Sequence, residues 1–420
     1  MRSIFRIIIL VLMLITSFNS LVAQWVQTNG PFGTNSSTNT GYARLNTFTE
    51  FDGILFAGTF EAGVFCSSDN GNNWSQLNSG LAYPWAMDIR SFITYNNILF
   101  VGTAGGIYFS TNNGFNWSKT DSGLTNADIR SFSVIGSNLF VGTFGGGVFV
   151  SSNNGLNWRD INTGLSNKQI TTLIAVGTNL YAGTANGNGV YLSTNNGANW
   201  IPKITGLKNT TVWALSSVGL NLFAGTDRGV FLSIDNGDNW NPINTGFTGG
   251  TVMSFTVDKN NLFLSSWSGV FMSINNGSNW TEVNTGLSET GKYVLSVFAN
   301  GANLLAGTMY DGAWKRPLSE MITDVEEEHN ILPAKFSLEQ NYPNPFNPST
   351  LIKFSIPTSL VVTLKVYDLL GRDVTSLVDE EKQAGNYIIK FDGSSLSSGI
   401  YFYRLQSGNF VETKKFIIMR

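Results

Sequence analysis

The sequence predicts an all-β protein, a seven-bladed β-propeller followed by a small β-sandwich. Three observations predict it. First, the turn Ser-x-Asp/Asn-x-Gly-x-x-Trp recurs six times and closes on Trp74, Trp117, Trp158, Trp200, Trp240 and Trp280, at spacings of 43, 41, 42, 40 and 40 residues. A period near 40 with strand-like patterning marks a propeller or a solenoid. Second, each turn is preceded by a triplet of the type Ala/Val-Gly-Thr, marked by Gly58, Gly102, Gly142, Gly183, Gly225 and Gly307, with Ser265 in the sixth unit; an apolar residue stands ten positions before each, which makes seven units. Third, charged residues are 13% of the 420, while 45 glycines and many Asn, Ser and Thr take their place. That composition suits short strands and tight turns.

Each unit reads as four strands. In the third they are Ile129 to Val134, Leu139 to Thr143, Gly147 to Ser151 and a last one from Trp158, with an Asn-Gly turn joining the final pair as hairpin chemistry requires. The seventh unit (Tyr293 to Pro317) has three strands and no closing turn. Trp25-Val26-Gln27-Thr28-Asn29-Gly30 resembles the segment after Trp158, so the N-terminal end of the ring supplies the missing strand and leaves no open seam.

The recurring turn resembles the Asp-box, or BNR, repeat of sialidase-like propellers, over about 290 residues from Trp25 to Trp314. Its Asp or Asn accepts backbone N–H bonds, Gly supplies positive φ, and Trp packs between blades. Asp69 and Asp235 are acids, whereas Asn112, Asn153, Asn195 and Asn275 keep the acceptor without the charge. The resemblance implies that these six residues are structural and lie on the face opposite a ligand site. Cys66 fills a strand position held elsewhere by Phe109, Val150, Leu192, Leu232 and Met272, and reads as a small buried hydrophobe.

Arg2 and Arg6 precede an apolar run, Ile7 to Ile15, and Leu21-Val22-Ala23 then offers a cleavage site, so residues 1–23 read as a secretory signal peptide. The propeller spans 24–317. Acidic Asp324 to Glu328 and a cluster of prolines indicate a linker over 318–335, where His329 is a solvated residue. Residues 336–420 contain six alternating strand patterns, a small sandwich of Ig or fibronectin-III type. The string Asn341-Tyr342-Pro343-Asn344-Pro345-Phe346-Asn347-Pro348, followed by Gly371-Arg372, Gly399-Ile400-Tyr401 and Lys414-Lys415, resembles the C-terminal sorting domain (type A) of the type IX secretion system. The resemblance implies the type IX machinery as a partner, passage through the periplasm and outer membrane, and a secreted or cell-surface destination.

With one Cys, one His and a net charge of −3, neither a Cys/His metal site nor a polybasic nucleic-acid surface is expected, and no cofactor or integral membrane segment after signal cleavage is foreseen. Functional side chains belong to the face away from the repeated turns, where the segments vary most. There Asp88-Ile89-Arg90 and Asp128-Ile129-Arg130 open adjacent units, while later units hold Gln169/Thr171, Thr211/Trp213, Thr251/Met253 and Lys292/Val294 in the same slots. Trp85, Glu61, Asp227, Arg228, Trp267, Tyr310 and Asp311 surround them. Such a sector suits an unidentified glycan or protein ligand. Three alternatives stand beside it: each Asp pairs with the neighbouring blade's Arg and only fastens blades; Asp88 and Asp128 serve as the carboxylate pair of a sialidase-like or endoglucanase-like glycoside hydrolase; or the propeller is an assembly or stability factor. The sialidase motif Phe/Tyr-Arg-Ile-Pro is absent after residue 23.

Overall fold

The structure is a computed structural model that describes residues 24–33, 41–81, 84–207, 210–321 and 335–419. The signal-peptide reading, His329 and most of the linker lie outside the described residues. Two compact units divide near residue 322. In the first, seven four-stranded antiparallel sheets follow one another, and their inner strands neighbour each other around a closed ring. The inner strands are Leu45–Phe51, Ile89–Tyr95, Ile129–Ile135, Ile170–Val176, Val212–Val218, Val252–Asp258 and Val294–Ala299.

Closure follows the expected route. Val26 pairs with Lys315 and Gln27 with Trp314, so Val26–Gln27 is the outer strand of the seventh sheet. Trp25 Nε1 donates to the carbonyl of Val283, 2.6 Å away in the sixth blade. Trp117, Trp158 and Trp200 make the same bond to Leu77, Thr120 and Ile161 of the blade before them, at 2.9, 3.0 and 2.7 Å. Each of these Trp therefore ties one blade to the preceding one, and Trp25 closes the ring, whereas the Trp240 indole N–H is buried without a partner. Packing explains the glycine of the repeated triplet: a Cβ on Gly58 would stand 2.4 Å from Ile89 Cγ2 of the next blade. The unit also runs past Pro317, because Leu318 is buried and Met321 packs against the seventh blade's core. Cys66 is half-buried against the second blade's core, and burial raises its thiol pKa.

The second unit is a two-sheet β fold. Ser337–Leu338, Ser349–Ile356 and Gly385–Asp392 form one sheet; Asp373–Lys382, Leu360–Tyr367, Gly399–Ser407 and Phe410–Ile418 form the other in that order. Alternate residues such as Ile352, Phe354, Val362, Leu364, Tyr403, Leu405 and Phe416 fill the core between them. This is the expected period-2 pattern. Among the described residues no helix is long and apolar enough to cross a membrane.

Candidate functional site

Every inner strand carries a bulge at its second residue. In the third blade Ile129 opposes Thr143 and Ser131 opposes Gly142, which leaves Arg130 as the extra residue. The same shift occurs in all seven blades. A bulge re-aims the side chain of its extra residue. Those residues, Asn46, Arg90, Arg130, Thr171, Trp213, Met253 and Leu295, all line one central cavity of about 740 Å³. The bulged side chains are thus polar or cationic in blades one to four and apolar in blades five to seven, where Asp227, Thr251 and Ser254 also line the cavity.

The register corrects one assignment. Val294 faces Thr308 as Ile89 faces Thr103, so Tyr293 and Leu295, not Lys292 and Val294, occupy the seventh blade's two slots. The error was one residue, and in a strand one residue exchanges the two faces.

In the cationic sector Asp88 Oδ2 accepts from Arg90 Nη2 at 2.6 Å, and Asp128 takes both Nε and Nη2 of Arg130 at 2.8 Å. Arg90 Nε lies 3.5 Å from Asp128 Oδ1 of the next blade, and Asn46 Nδ2 lies 3.4 Å from Asp88 Oδ1. A polar chain therefore runs across three blades. The shortest ion pairs lie within one blade, however, and the contacts between blades are longer. Each Asp immediately precedes the strand whose bulged second residue is its Arg, so each carboxylate meets its own Arg first.

Sequence reasoning missed Arg44. It stands four residues before Phe48, as Asp88 does before Phe92 and Asp128 before Phe132, and counting back from that apolar residue would have found it. Arg44 lines the cavity with its guanidinium 5.1 Å over the Phe60 ring, and its Nε is buried without a hydrogen-bond partner. Arg130 lies 4.6 Å over Phe144 in the same way. Such stacking holds a cation and leaves its N–H edges free to donate. Burial pushes the Arg44 pKa down, with the Asp88 carboxylate opposing. Burial also pushes the Asp88 pKa up, against Arg90, Arg130 and Arg44. Three guanidiniums here face two carboxylates.

Of the other expected residues, Trp213, Asp227 and Trp267 line the cavity. Trp85 and Trp267 are 68% and 55% exposed, large apolar surfaces at the rim. Tyr310 packs edge-on against Tyr293, and Arg228 is exposed. Asp311 is buried and takes hydrogen bonds from Ser288 and Thr290 at 2.5 and 2.6 Å, so it organises its own loop. Among the described residues no group of three or more His, Cys, Asp or Glu is placed to hold a metal.

The repeated turns lie at the other end of the blades. In the first, Ser67 Oγ and the N–H of Asn73 both donate to Asp69 Oδ1, at 2.8 and 2.9 Å. Asn112, Asn153, Asn195, Asp235 and Asn275 accept the same pair of bonds. Hydrogen bonds, the Asn73 side chain first among them, hold the Asp69 pKa at about 2.

In the second unit the proline-rich string folds against the last strand. Phe346 is buried among Phe391 and Phe416; its N–H donates to Ile417 O at 3.0 Å, and Asn344 Oδ1 accepts the Ile417 N–H at 2.8 Å. Asn341 bridges Pro343 O and Thr350 Oγ1 at 3.0 and 2.9 Å. Tyr342 is 59% exposed, and Tyr401 stacks on Phe416. Gly399 begins the strand that carries Tyr401.

Residues 340–419 match the family described as secretion system C-terminal sorting domain. No curated protein sequence matches the chain. Among solved structures, the extracellular domain of the putative one component system BT4673 from B. thetaiotaomicron is similar at 16% identity and TM-score 0.56, over 79% of this chain and 44% of that one. The surface component PorZ of the type IX secretion system of Porphyromonas gingivalis is similar at 15% identity and TM-score 0.50, over 90% and 60%. The GH74 xyloglucanase of Xanthomonas campestris is similar at 13% and 0.55, over 79% and 59%. The chain thus spans less than two thirds of each. An extracellular domain of a putative one component system, a secretion-system component and a xyloglucanase share this fold, so the likeness gives architecture and function must come from the site. The sorting tail marks the protein for type IX secretion, to the cell surface or the extracellular space.

Proposed function

We propose that this exported propeller is a non-catalytic binding module whose upper mouth takes a carboxylate-bearing glycan. One observation carries the reading: the channel has one sector where the bulged Arg90 and Arg130, with Arg44, set three guanidiniums against two carboxylates, and another where the bulged Trp213, Met253 and Leu295 project, with Asp227 in the lining beside them. Guanidinium forks pair with carboxylates in a fixed plane, and an indole face accepts the apolar face of a sugar ring. The rim residues Trp85, Trp267, Asp227, Arg228 and Tyr310 extend that surface. The hydrogen-bonding of the six turns supports an Asp-box reading, in which Asp69 and its five counterparts belong to the scaffold. A signal peptide over residues 1–23 fits the same export route.

Asp88 and Asp128 serve this reading as partners that orient Arg90 and Arg130. Both are already held by guanidiniums, which weighs against a pair free to protonate a leaving group and activate water. The test is an array of acidic and neutral oligosaccharides, with acidic peptides beside them, probed with the secreted form. Retention of uronate-containing glycans over their neutral counterparts is expected. Retention of acidic peptides alone would replace the glycan by a protein segment. Hydrolysis of the captured glycan, lost in Asp88→Asn or Asp128→Asn, would overturn the non-catalytic reading.

A further inference from the structure

The chain contains ten Asn-Gly dipeptides, a reactive pair, and two of their settings contrast. In Asn-Gly the unshielded glycine nitrogen can attack the preceding carboxamide, the ordinary route of spontaneous deamidation. Six copies lie in the repeated turns: Asn70-Gly71, Asn113-Gly114, Asn154-Gly155, Asn196-Gly197, Asn236-Gly237 and Asn276-Gly277. In all six the glycine is buried, and its N–H donates to the Oγ of that turn's serine at 2.8–2.9 Å. The attacking nitrogen is occupied.

A different setting occurs on the upper rim of the fourth blade, in the loop Ala185-Asn186-Gly187-Asn188-Gly189 between two strands. The matching loops of the first, third and sixth blades are clamped by one asparagine. Asn78, Asn162 and Asn284 each accept a strand N–H at 2.7–2.8 Å and donate to a loop carbonyl at 2.8–3.0 Å. Ile204 takes that place in the fourth blade and offers neither bond. Asn186 is exposed. Its backbone N–H donates to Thr211 Oγ1 at 3.2 Å and its carboxamide donates to Gln169, while no serine hydroxyl holds the Gly187 N–H.

We propose that Asn186 is a deamidation site on the rim, and that the serine of each repeated turn protects the same dipeptide on the opposite face. The Gly187 nitrogen attacks Asn186 Cγ. The N–Cγ bond forms, the Cγ–Nδ2 bond breaks, and ammonia leaves with the glycine's proton. Water then opens the resulting succinimide at either carbonyl to give aspartate or isoaspartate. The product adds a carboxylate beside Gln169, next to Thr211, whose N–H already donates to Asp227 Oδ1 at 3.1 Å. If the binding reading above holds, this lowers affinity for an anionic glycan as the protein ages; the modification itself does not depend on that reading.

The full chain, incubated in mildly alkaline buffer and digested, tests this by mass spectrometry that assigns conversion residue by residue at the six turn sites and at Asn186, with fragmentation separating Asn186 from Asn188 of the same loop. Asn186 is expected to convert at least about tenfold faster than any of the six turn sites, because reaction in a turn must wait for local opening. In denaturant all seven should converge. Native rates that are equal, or faster in the turns, would overturn the proposal, as would a spread that persists in denaturant. Ser151→Ala should raise the Asn154 rate toward that of Asn186. Should that variant fail to fold, the wild-type comparison alone decides.

Discussion

The two faces of the propeller use the same strands to opposite ends. On the lower face six turns repeat one hydrogen-bond pattern, and exchanging Asp for Asn at its centre keeps the two shared bonds, the acids adding one from an Asn side chain. On the upper face the seven bulges repeat one backbone device, and they present six kinds of side chain to the channel, Arg alone occurring twice. Repetition of side chains marks scaffold, whereas repetition of backbone under varied side chains marks a surface open to specialisation.

The largest effect that would test this contrast lies at the seam. Trp25→Ala removes an indole that is 2% exposed together with its bond to Val283, and should cost about 3–5 kcal/mol in chemical denaturation. A loss below about 1 kcal/mol would mean that ring closure does not depend on this segment.

Arg90→Ala comes next. It leaves the 5%-exposed Asp88 without its 2.6 Å partner, and should destabilise by about 1–3 kcal/mol, part of which the double variant Asp88→Asn/Arg90→Ala regains. No recovery in the double variant would show that Arg90 acts through packing. On the lower face Asn153→Ala removes the acceptor for Ser151 and Asn157 and should cost about 0.5–1.5 kcal/mol. Asp69→Asn keeps that acceptor and should stay within about 0.5 kcal/mol at neutral pH.

Acid separates the two faces by sign. Asp69 is depressed to about 2, so its contribution is present above the unfolded carboxylate value of ~4 and is lost as pH falls toward the folded one. Asp88 is raised, so the folded state holds the proton more tightly, and stability is lost as pH rises from ~4 through the folded value. Denaturation midpoints of Asp69→Asn and Asp88→Asn across this range should therefore differ from wild type with opposite slopes. Parallel profiles would remove the electrostatic half of the contrast.

Much of the fold was legible because the period sits in large, specific residues. The Trp of each turn, the Gly under the next blade's inner strand and the Trp25 segment all bear on blade packing, which is why they repeat. The candidate site was legible only where it repeated, as in Asp88/Arg90 and Asp128/Arg130. Arg44 escaped because it breaks the Asp-x-Arg pattern. The seventh blade's slots slipped by one because a bulge changes pairing without changing strand length, and the sequence carries no mark of it. The pairing of Arg90 with two carboxylates in different blades depends on the ring's curvature, which no local pattern encodes. In the tail the alternation of apolar residues gave the strands to within a few residues, and the burial of Phe346 against the last strand emerged only in three dimensions.

The central claim is that the upper mouth binds and the lower turns support. Calorimetric titration of an oligogalacturonate into wild type, Arg44→Ala, Trp213→Ala and Asn154→Ala tests it most directly. Binding to wild type and to Asn154→Ala, with affinity reduced at least about tenfold in Arg44→Ala and Trp213→Ala at unchanged melting temperature, is the predicted result, since a charged hydrogen bond or a stacked ring is worth about 1.4 kcal/mol or more. Equal affinity in all four proteins, or a loss confined to Asn154→Ala, would contradict it.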